Sequence, residues 1–174
     1  MANLIWITGL SGSGKTTIGY EVFKHIKESQ KDTVFLDGDT FRDILGNDLG
    51  HKLEDRLENA RRIHRMCKFL ISQDINVICA TMSLYSEIHD LNRKMIENYF
   101  EIFIECSMDE LIRRDQKGLY SQAINGERND VVGINLVFDK PSDCDLIIEN
   151  NTKEYLNVKV QNILNLIGET NETR

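Results

Sequence analysis

Nine residues, GLSGSGKTT from Gly9 to Thr17, follow the apolar run LIWIT and precede a stretch with helical spacing. Gly9-x-x-x-x-Gly14-Lys15-Thr16 satisfies the P-loop pattern at every fixed position. Glycines there let backbone N–H groups turn around phosphate oxygens, and the following helix offers its positive end to the same anion. Gly9, Ser11, Gly12, Ser13, Gly14, Lys15, Thr16 and Thr17 are the expected nucleotide cradle. Lys15 would reach the outer phosphates of ATP as a cation, and the Thr16 hydroxyl would ligate Mg²⁺. A merely structural glycine-rich turn would match these four constrained positions only rarely by chance.

A second set of chemical groups follows in LDGDTFR, where Asp37 and Asp39 alternate around Gly38. They fall at the carboxyl edge of the second strand-like run, where α/β sites form. One carboxylate can orient Mg²⁺ through water while the other accepts a proton from an attacking hydroxyl. The same pattern also fits an Asx turn with a helix N-cap at Asp39. No NKxD base-reading motif occurs, since DKPSD at 139–143 is not one, and the apolar run NVICA leads into Thr81 rather than an aspartate. Arg42, Arg56 and Asn59 come next. Arg56 and Asn59 are three apart and share a helix face, expected opposite the apolar stripe of Leu53, Leu57 and Ala60. Two arginines suit a bidentate grip on an anionic substrate. Arg61, Arg65 and Lys68 read as an ordinary solvated face.

These groups need a frame, and the sequence alternates strand-like with helix-like segments. Runs at 4–8, 33–37, 76–80, 101–106 and 145–150 are short and continuously apolar, as in a parallel sheet covered on both faces. Helices are expected at about 15–29, 40–45, 53–73, 86–98, 108–114 and 152–168. The longest of these carries Leu53, Leu57, Ala60, Ile63, Cys67 and Leu70 on one side. The polar, glycine-bearing segment 115–140 interrupts the alternation and reads as a mobile lid. The tail GETNETR reads as frayed. With 174 residues and no internal repeat, one domain over 1–174 is expected.

Composition narrows the class. The chain is 41% hydrophobic and 28% charged, ordinary for a soluble globular protein, and no run approaches a membrane span. A net charge of −7 argues against a broad nucleic-acid surface. The N-terminal MANLIWITGL lacks the features of a signal peptide and reads as the first core strand. The four cysteines, Cys67, Cys79, Cys106 and Cys144, form no CxxC or zinc spacing. Cys79 and Cys106 sit in apolar strand-like runs as small hydrophobes, so a reduced, cytoplasmic protein is expected.

Over about residues 4–150 the chain resembles the adenylylsulfate kinases. The resemblance rests on GLSGSGKTT, on the pattern LDGD..R.....DLG....DR.EN.RR from Leu36 to Arg62, and on RDQKGLY from Arg114 to Tyr120. It implies a three-layer α/β P-loop NTPase of the nucleoside-kinase-like class, with a five-stranded parallel sheet, and a kinase that uses ATP and Mg²⁺ to phosphorylate the 3′-hydroxyl of a 5′-activated nucleotide. By the same resemblance Asp37 and Asp39 sit near metal and acceptor hydroxyl, and Arg42, Arg56 and Asn59 grip the 5′ anhydride. Arg114 and Lys117 would belong to the lid over the nucleotide, with Gly118, Leu119 and Ser83 on the substrate side. A homodimer is implied by the family alone.

The departures are concentrated where the family holds adenine. Its DLGF is DLGH here, so His51 stands for a phenylalanine, and its GE-x-K/R-x-FTGID is GERNDVVGIN, so Val131 stands for another. Asn129 takes the place of the basic residue unless Arg128 serves instead, and the ISPYR element is MSLYS, which keeps Ser83 and loses the proline and arginine. The anhydride grip is kept and the purine clamp is not. The expectation is therefore a family relative acting on cytidine diphosphoramidate, of bacterial capsule modification, with a genuine adenylylsulfate kinase as the alternative. A non-catalytic nucleotide-binding regulatory domain is the alternative of another class, and the Asp37/Asp39 pair and lid argue against it.

Overall fold

The computed structural model describes residues 2–169. Strands β1 (Leu4–Thr8), β2 (Thr33–Asp37), β3 (Asn76–Ala80), β4 (Tyr99–Glu105) and β5 (Leu146–Glu149) form one parallel sheet in the order β2-β3-β1-β4-β5. The α-helices among the described residues are α1 (Lys15–Ser29), α2 (Gly38–Ile44), α3 (Leu53–Ile71), α4 (Ser86–Met95), α5 (Met108–Arg114), α6 (Leu119–Ile124) and α7 (Leu156–Leu166).

The apolar strands are continuous because both faces are covered. Along β1, Ile5 and Ile7 pack with Ile18 and Val22 of α1 and with Ile163 of α7. Leu4 and Trp6, pointing the other way, pack with Ile63 and Cys67 of α3 and Ile88 of α4. Each such fully buried aliphatic side chain contributes roughly 1.5–3 kcal/mol by burial. β1 runs through the middle of the sheet, so the loop after it emerges at the centre of the carboxyl edge. The ends of β2 and β3 lie beside it on one side and β4 on the other.

The five strands and α1 and α5 match expectation closely, and the remaining differences have local causes. α2 starts at Gly38 rather than near 40, because the Asp37 side chain caps it by accepting from the N–H groups of Asp39 and Thr40. The expected cap at Asp39 is corrected to Asp37. α4 stops at Met95, since β4 already begins at Tyr99. α7 starts at Leu156 rather than 152. The Lys159 ammonium donates to the carbonyls of Thr152 and Glu154, each at 2.8 Å, and holds that stretch in a non-helical loop. The expected apolar stripe of α3 is also corrected. Only its first member departs: Leu53 is 56% exposed, whereas Leu57 and Leu70 pack against the cluster of Ala60, Ile63 and Cys67. Of the tail expected to fray, Gly168 and Glu169 close the end of α7 by donating to the carbonyls of Asn165 and Leu164, while 170–174 lie outside the described residues.

The 115–140 segment is more ordered in its packing than its polar composition implies. It carries a short 3₁₀ turn (Gln116–Gly118) and α6. Tyr120, Ala123, Val131 and Val132 bury themselves against Leu10, Leu84, Phe103 and Leu111 in a third apolar cluster. All four cysteines are free. Cys67 and Cys79 are buried side by side, and burial pushes the Cys79 thiol up. Cys106 lies one residue beyond β4 and is half-buried, not inside a strand as expected. No helix among the described residues is long and apolar enough to cross a membrane.

Candidate active site

The loop after β1 is shaped by what glycine alone tolerates at two points. A Cβ on Gly9 would lie 2.5 Å from the Ile104 carbonyl oxygen, and Gly14 caps α1 at φ +103°. Three successive carbonyls of the loop are then drawn outward. Tyr120 Oη donates to the Ser11 carbonyl at 2.6 Å, Arg114 Nη1 to that of Gly12 at 2.9 Å, and Asn150 Nδ2 to that of Ser13 at 2.5 Å. In a planar trans peptide the N–H opposes the C=O, so these bonds turn the Gly12 and Gly14 N–H groups to the other side. Backbone N–H groups turned to one side of a loop are what an anion would need.

Lys15 is 9% exposed and donates to the Leu10 carbonyl at 2.7 Å. Burial lowers its ammonium to about 8, against the pull of Asp39 and Asp37 in the opposite direction. Thr16 donates its hydroxyl to Asp37 Oδ2 at 2.8 Å, while Asp37 Oδ1 accepts the two cap N–H groups. A hydroxyl and a carboxylate side by side at the phosphate loop are a donor set for a hard cation that takes its remaining ligands from water and phosphate, as Mg²⁺ does. Among the described residues no group of three or more His, Cys, Asp or Glu side chains is placed to hold a metal ion. Asp39 differs from Asp37. Its side chain is 83% exposed, and its partner is Lys117, at 2.9 Å and itself 69% exposed. That contact raises the Lys117 ammonium.

These groups open on a cavity of about 370 Å³ at the carboxyl edge of β1, β2 and β3. Of the expected cradle, Ser11, Gly12, Lys15 and Thr16 line it; Gly9, Ser13 and Gly14 are not part of its wall, and Thr17 is exposed on α1. Of the residues expected to hold the acceptor, Asp39, Arg42, His51, Arg56, Asn59 and Val131 line it together. Ser83, Lys117 and Leu119 complete the expected set, whereas Gly118 lies just outside the wall with φ +65°. Arg56 and Asn59 were expected opposite Ala60, yet Ala60 lines the same cavity, since all three fall in the first turns of α3.

Arg114 is the clearest displacement from expectation. It does not line the cavity. Its three nitrogens go to the Glu110 carboxylate at 2.7 Å and to the carbonyls of Gly12 at 2.9 Å and Asn150 at 2.6 Å. It is a strut behind the phosphate loop, not a charge in the lid. The two acceptor-side arginines are also anchored. Arg42 Nη1 donates to the carbonyls of Leu49 and Gly50 at 2.7 and 2.9 Å. Arg56 donates to the carbonyls of His51 at 2.7 Å and Asp130 at 2.9 Å, joining the loop before α3 to the 115–140 segment. Burial, with Arg56 and Arg42 nearby, lowers the His51 imidazole.

Sequence reasoning missed Thr81, Met82, Gln116 and Val132 in the wall, and Asn150 behind the loop. Thr81 and Met82 simply continue β3 and carry no charge to betray them. Asn150 had one available signal, a polar residue at the carboxyl end of an apolar strand. Arg128 lines the cavity too, locked to Asp130 by two bonds of 2.9 and 2.8 Å.

The adenylylsulphate kinase family model matches residues 1–149. The chain belongs to the adenylylsulphate kinase family. It is 47% identical over 161 residues, 92% of this chain and 94% of the other, to a cytidine diphosphoramidate kinase of Campylobacter jejuni. It is 37% identical over 171 residues, 97% of this chain and 86% of the other, to an adenylyl-sulfate kinase of Pseudomonas aeruginosa. Among solved structures, the Mycobacterium tuberculosis APS kinase in complex with AMPPNP and APS superposes with a TM-score of 0.88. The two are 31% identical and the match covers 96% of this chain and 98% of that one. The protein is thus a kinase, a phosphotransferase with a hydroxyl acceptor and ATP as the donor used by its family.

Proposed function

We propose that this kinase transfers the γ-phosphoryl group of ATP to the 3′-hydroxyl of a cytidine 5′-diphosphate-like nucleotide, cytidine diphosphoramidate being the acceptor that fits best. The observation that carries the choice is that His51 and Val131, neither offering a large apolar ring, line the same cavity as Arg42 and Arg56. The anhydride side of the site is rich in cations while the base side lacks a pair of aromatic walls. The name of the Campylobacter jejuni relative supports the same acceptor.

In this reading the triphosphate lies on the loop between Ser11 and Thr16, with Lys15 against the outer phosphates. Mg²⁺, held through Thr16 and Asp37, would neutralise phosphate charge. The acceptor's 5′ anhydride lies on Arg42, Arg56 and Asn59, which turns its ribose toward Lys15. Both oxygens of Asp37 are committed to the cap and to Thr16, which leaves Asp39 as the carboxylate that accepts or orients the hydroxyl proton. The 3′-oxygen forms the new bond to phosphorus as the bond to the β–γ bridging oxygen breaks, and ADP leaves. Asp39 must first let go of Lys117, and an exposed pair of this kind costs only about 0.2–1 kcal/mol to separate. Lys117, freed, can then meet charge on the transferring group, and movement of the 115–140 segment as a lid would exclude water.

The base side is tested by restoring both rings. His51→Phe with Val131→Phe should raise the ratio of kcat/KM for adenosine 5′-phosphosulfate over that for cytidine diphosphoramidate by at least about tenfold, since an aromatic contact adds roughly 0.5–1.5 kcal/mol beyond its area. The ratio cancels any packing cost of enlarging the buried Val131. An unchanged ratio in a folded variant would remove the base side from the argument.

A further inference from the structure

Ser83 follows β3 in the cavity wall, is 1% exposed, and its hydroxyl has no partner among the described residues. Its carbonyl accepts two bonds. One comes from the Thr8 hydroxyl at 3.1 Å, at the end of β1 just before the phosphate loop. The other, at 2.6 Å, comes from Nε2 of His89 on α4. A carbonyl can only accept, so Nε2 carries the hydrogen. On the other side of the ring, His89 Nδ1 lies 3.0 Å from Glu101 Oε1. Glu101 Oε2 accepts from the Tyr99 hydroxyl at 3.1 Å and from Arg93 Nη2 at 3.2 Å. Asp145 closes the cluster, accepting the Glu101 N–H at 2.7 Å and facing Arg93 Nη1 at 3.6 Å.

The contact is shielded from water, His89 being 7% and Glu101 2% exposed. Glu101 Oε1 has no hydrogen-bond partner among the described residues, so the ring bonds through Nε2 while its other edge rests against the carboxylate. Neither residue lines the cavity, and both act on it through the Ser83 carbonyl. We propose that His89, seated between the Ser83 carbonyl and Glu101, is a positioning residue for the phosphoryl transfer. It fixes the Ser83 carbonyl, and so the register between the β1 end that feeds the phosphate loop and the β3 end that walls the acceptor. The inference rests on the reading that the Ser83 wall faces the acceptor nucleotide, but not on which base that acceptor carries.

The test uses whichever acceptor the unaltered enzyme prefers, which keeps it separate from the base assignment. Glu101→Gln keeps the shape of the side chain that backs the ring. Its amide N–H can donate to a neutral Nδ1 while its amide oxygen accepts from Tyr99 and Arg93. Glu101→Leu cannot do this, and His89→Leu removes the donor to Ser83. Both leucine variants should lower kcat/KM for the acceptor by at least about tenfold while ATP affinity stays within about threefold, and Glu101→Gln should remain within about threefold of the unaltered enzyme in both. A Glu101→Gln enzyme as impaired as Glu101→Leu, or ATP affinity falling in step with acceptor use, overturns the proposal. If the leucine variants fail to fold, the Glu101→Gln kinetics stand with a ¹⁵N spectrum of histidine-labelled unaltered protein. There His89 should show Nε2 protonated and hydrogen-bonded, and an unprotonated Nε2 overturns the proposal.

Discussion

Replacing Asp39 by asparagine should separate chemistry from folding, because its surroundings give it almost nothing to do in the fold. Its side chain is 83% exposed and its partner Lys117 is 69% exposed, an ion pair worth about 0.2–1 kcal/mol at most. For a chain of this size that is a change in Tm of no more than roughly 2–4 °C. Loss of a proton acceptor costs roughly 10²–10⁴ in rate, about 2.7–5.5 kcal/mol of transition-state stabilisation. Asp37→Ala provides the contrast, since it removes the acceptor of two helix N–H groups and of the Thr16 hydroxyl. Losing the cap should cost about 1 kcal/mol of stability, and losing the carboxylate beside Thr16 should raise the Mg²⁺ concentration needed for half-maximal rate. Initial rates of ADP formation at saturating ATP and acceptor, measured beside calorimetric melting of the same preparations, give both quantities. An Asp39→Asn enzyme that keeps kcat within about threefold would refute the assignment of the proton to Asp39.

Two further outcomes follow from the phosphate loop. Lys15, held at about 8 by burial in the ligand-free protein, should be driven back to its charged form by the triphosphate. At pH 8.5, ATP binding should therefore take up roughly 0.5–0.8 proton, read by titration calorimetry in buffers of different ionisation enthalpy, and no uptake would contradict the buried-ammonium argument. The sign extends to stability. A lysine whose folded pKa lies below its unfolded value penalises the fold at low pH, and this penalty is relieved as pH rises from about 8 toward 10.5. Arg114→Ala should raise KM for ATP several-fold and lower stability by about 1–3 kcal/mol while leaving KM for the acceptor nearly unchanged, because the guanidinium holds the loop from behind. An acceptor KM that rises with it would place Arg114 in the cavity after all.

Much of this arrangement is legible in the sequence because its signals are local. A P-loop is a run of adjacent residues, and a doubly covered parallel strand is an unbroken apolar run, so β1, β2, β3 and α1 fall where the residues place them. Asp37 and Asp39 were legible as a pair with two roles, but not which carboxylate takes which. Their difference lies in partners distant along the chain, Thr16 for one and Lys117 for the other. Arg114 misleads for a similar reason. An arginine near a lid reads as a charge for the nucleotide until the carbonyls of Gly12 and Asn150, one far upstream and one downstream, are seen to consume it. The His89–Glu101 contact joins a helix to the next strand and leaves no motif. The apolar anchoring of 115–140 was hidden because Tyr120, Val131 and Val132 are scattered among polar residues and meet in a cluster with the distant Leu10, Leu84, Phe103 and Leu111.

The central claim is the identity of the acceptor, and it is tested most directly by kcat/KM values of the unaltered enzyme with ATP as donor and adenosine 5′-phosphosulfate, cytidine diphosphoramidate, CDP and ADP as acceptors. With Arg42 and Arg56 retained and with His51 and Val131 at the base side of the same cavity, cytidine diphosphoramidate should win over adenosine 5′-phosphosulfate by at least about tenfold, roughly 1.4 kcal/mol of transition-state binding. A clear preference for adenosine 5′-phosphosulfate would contradict the account.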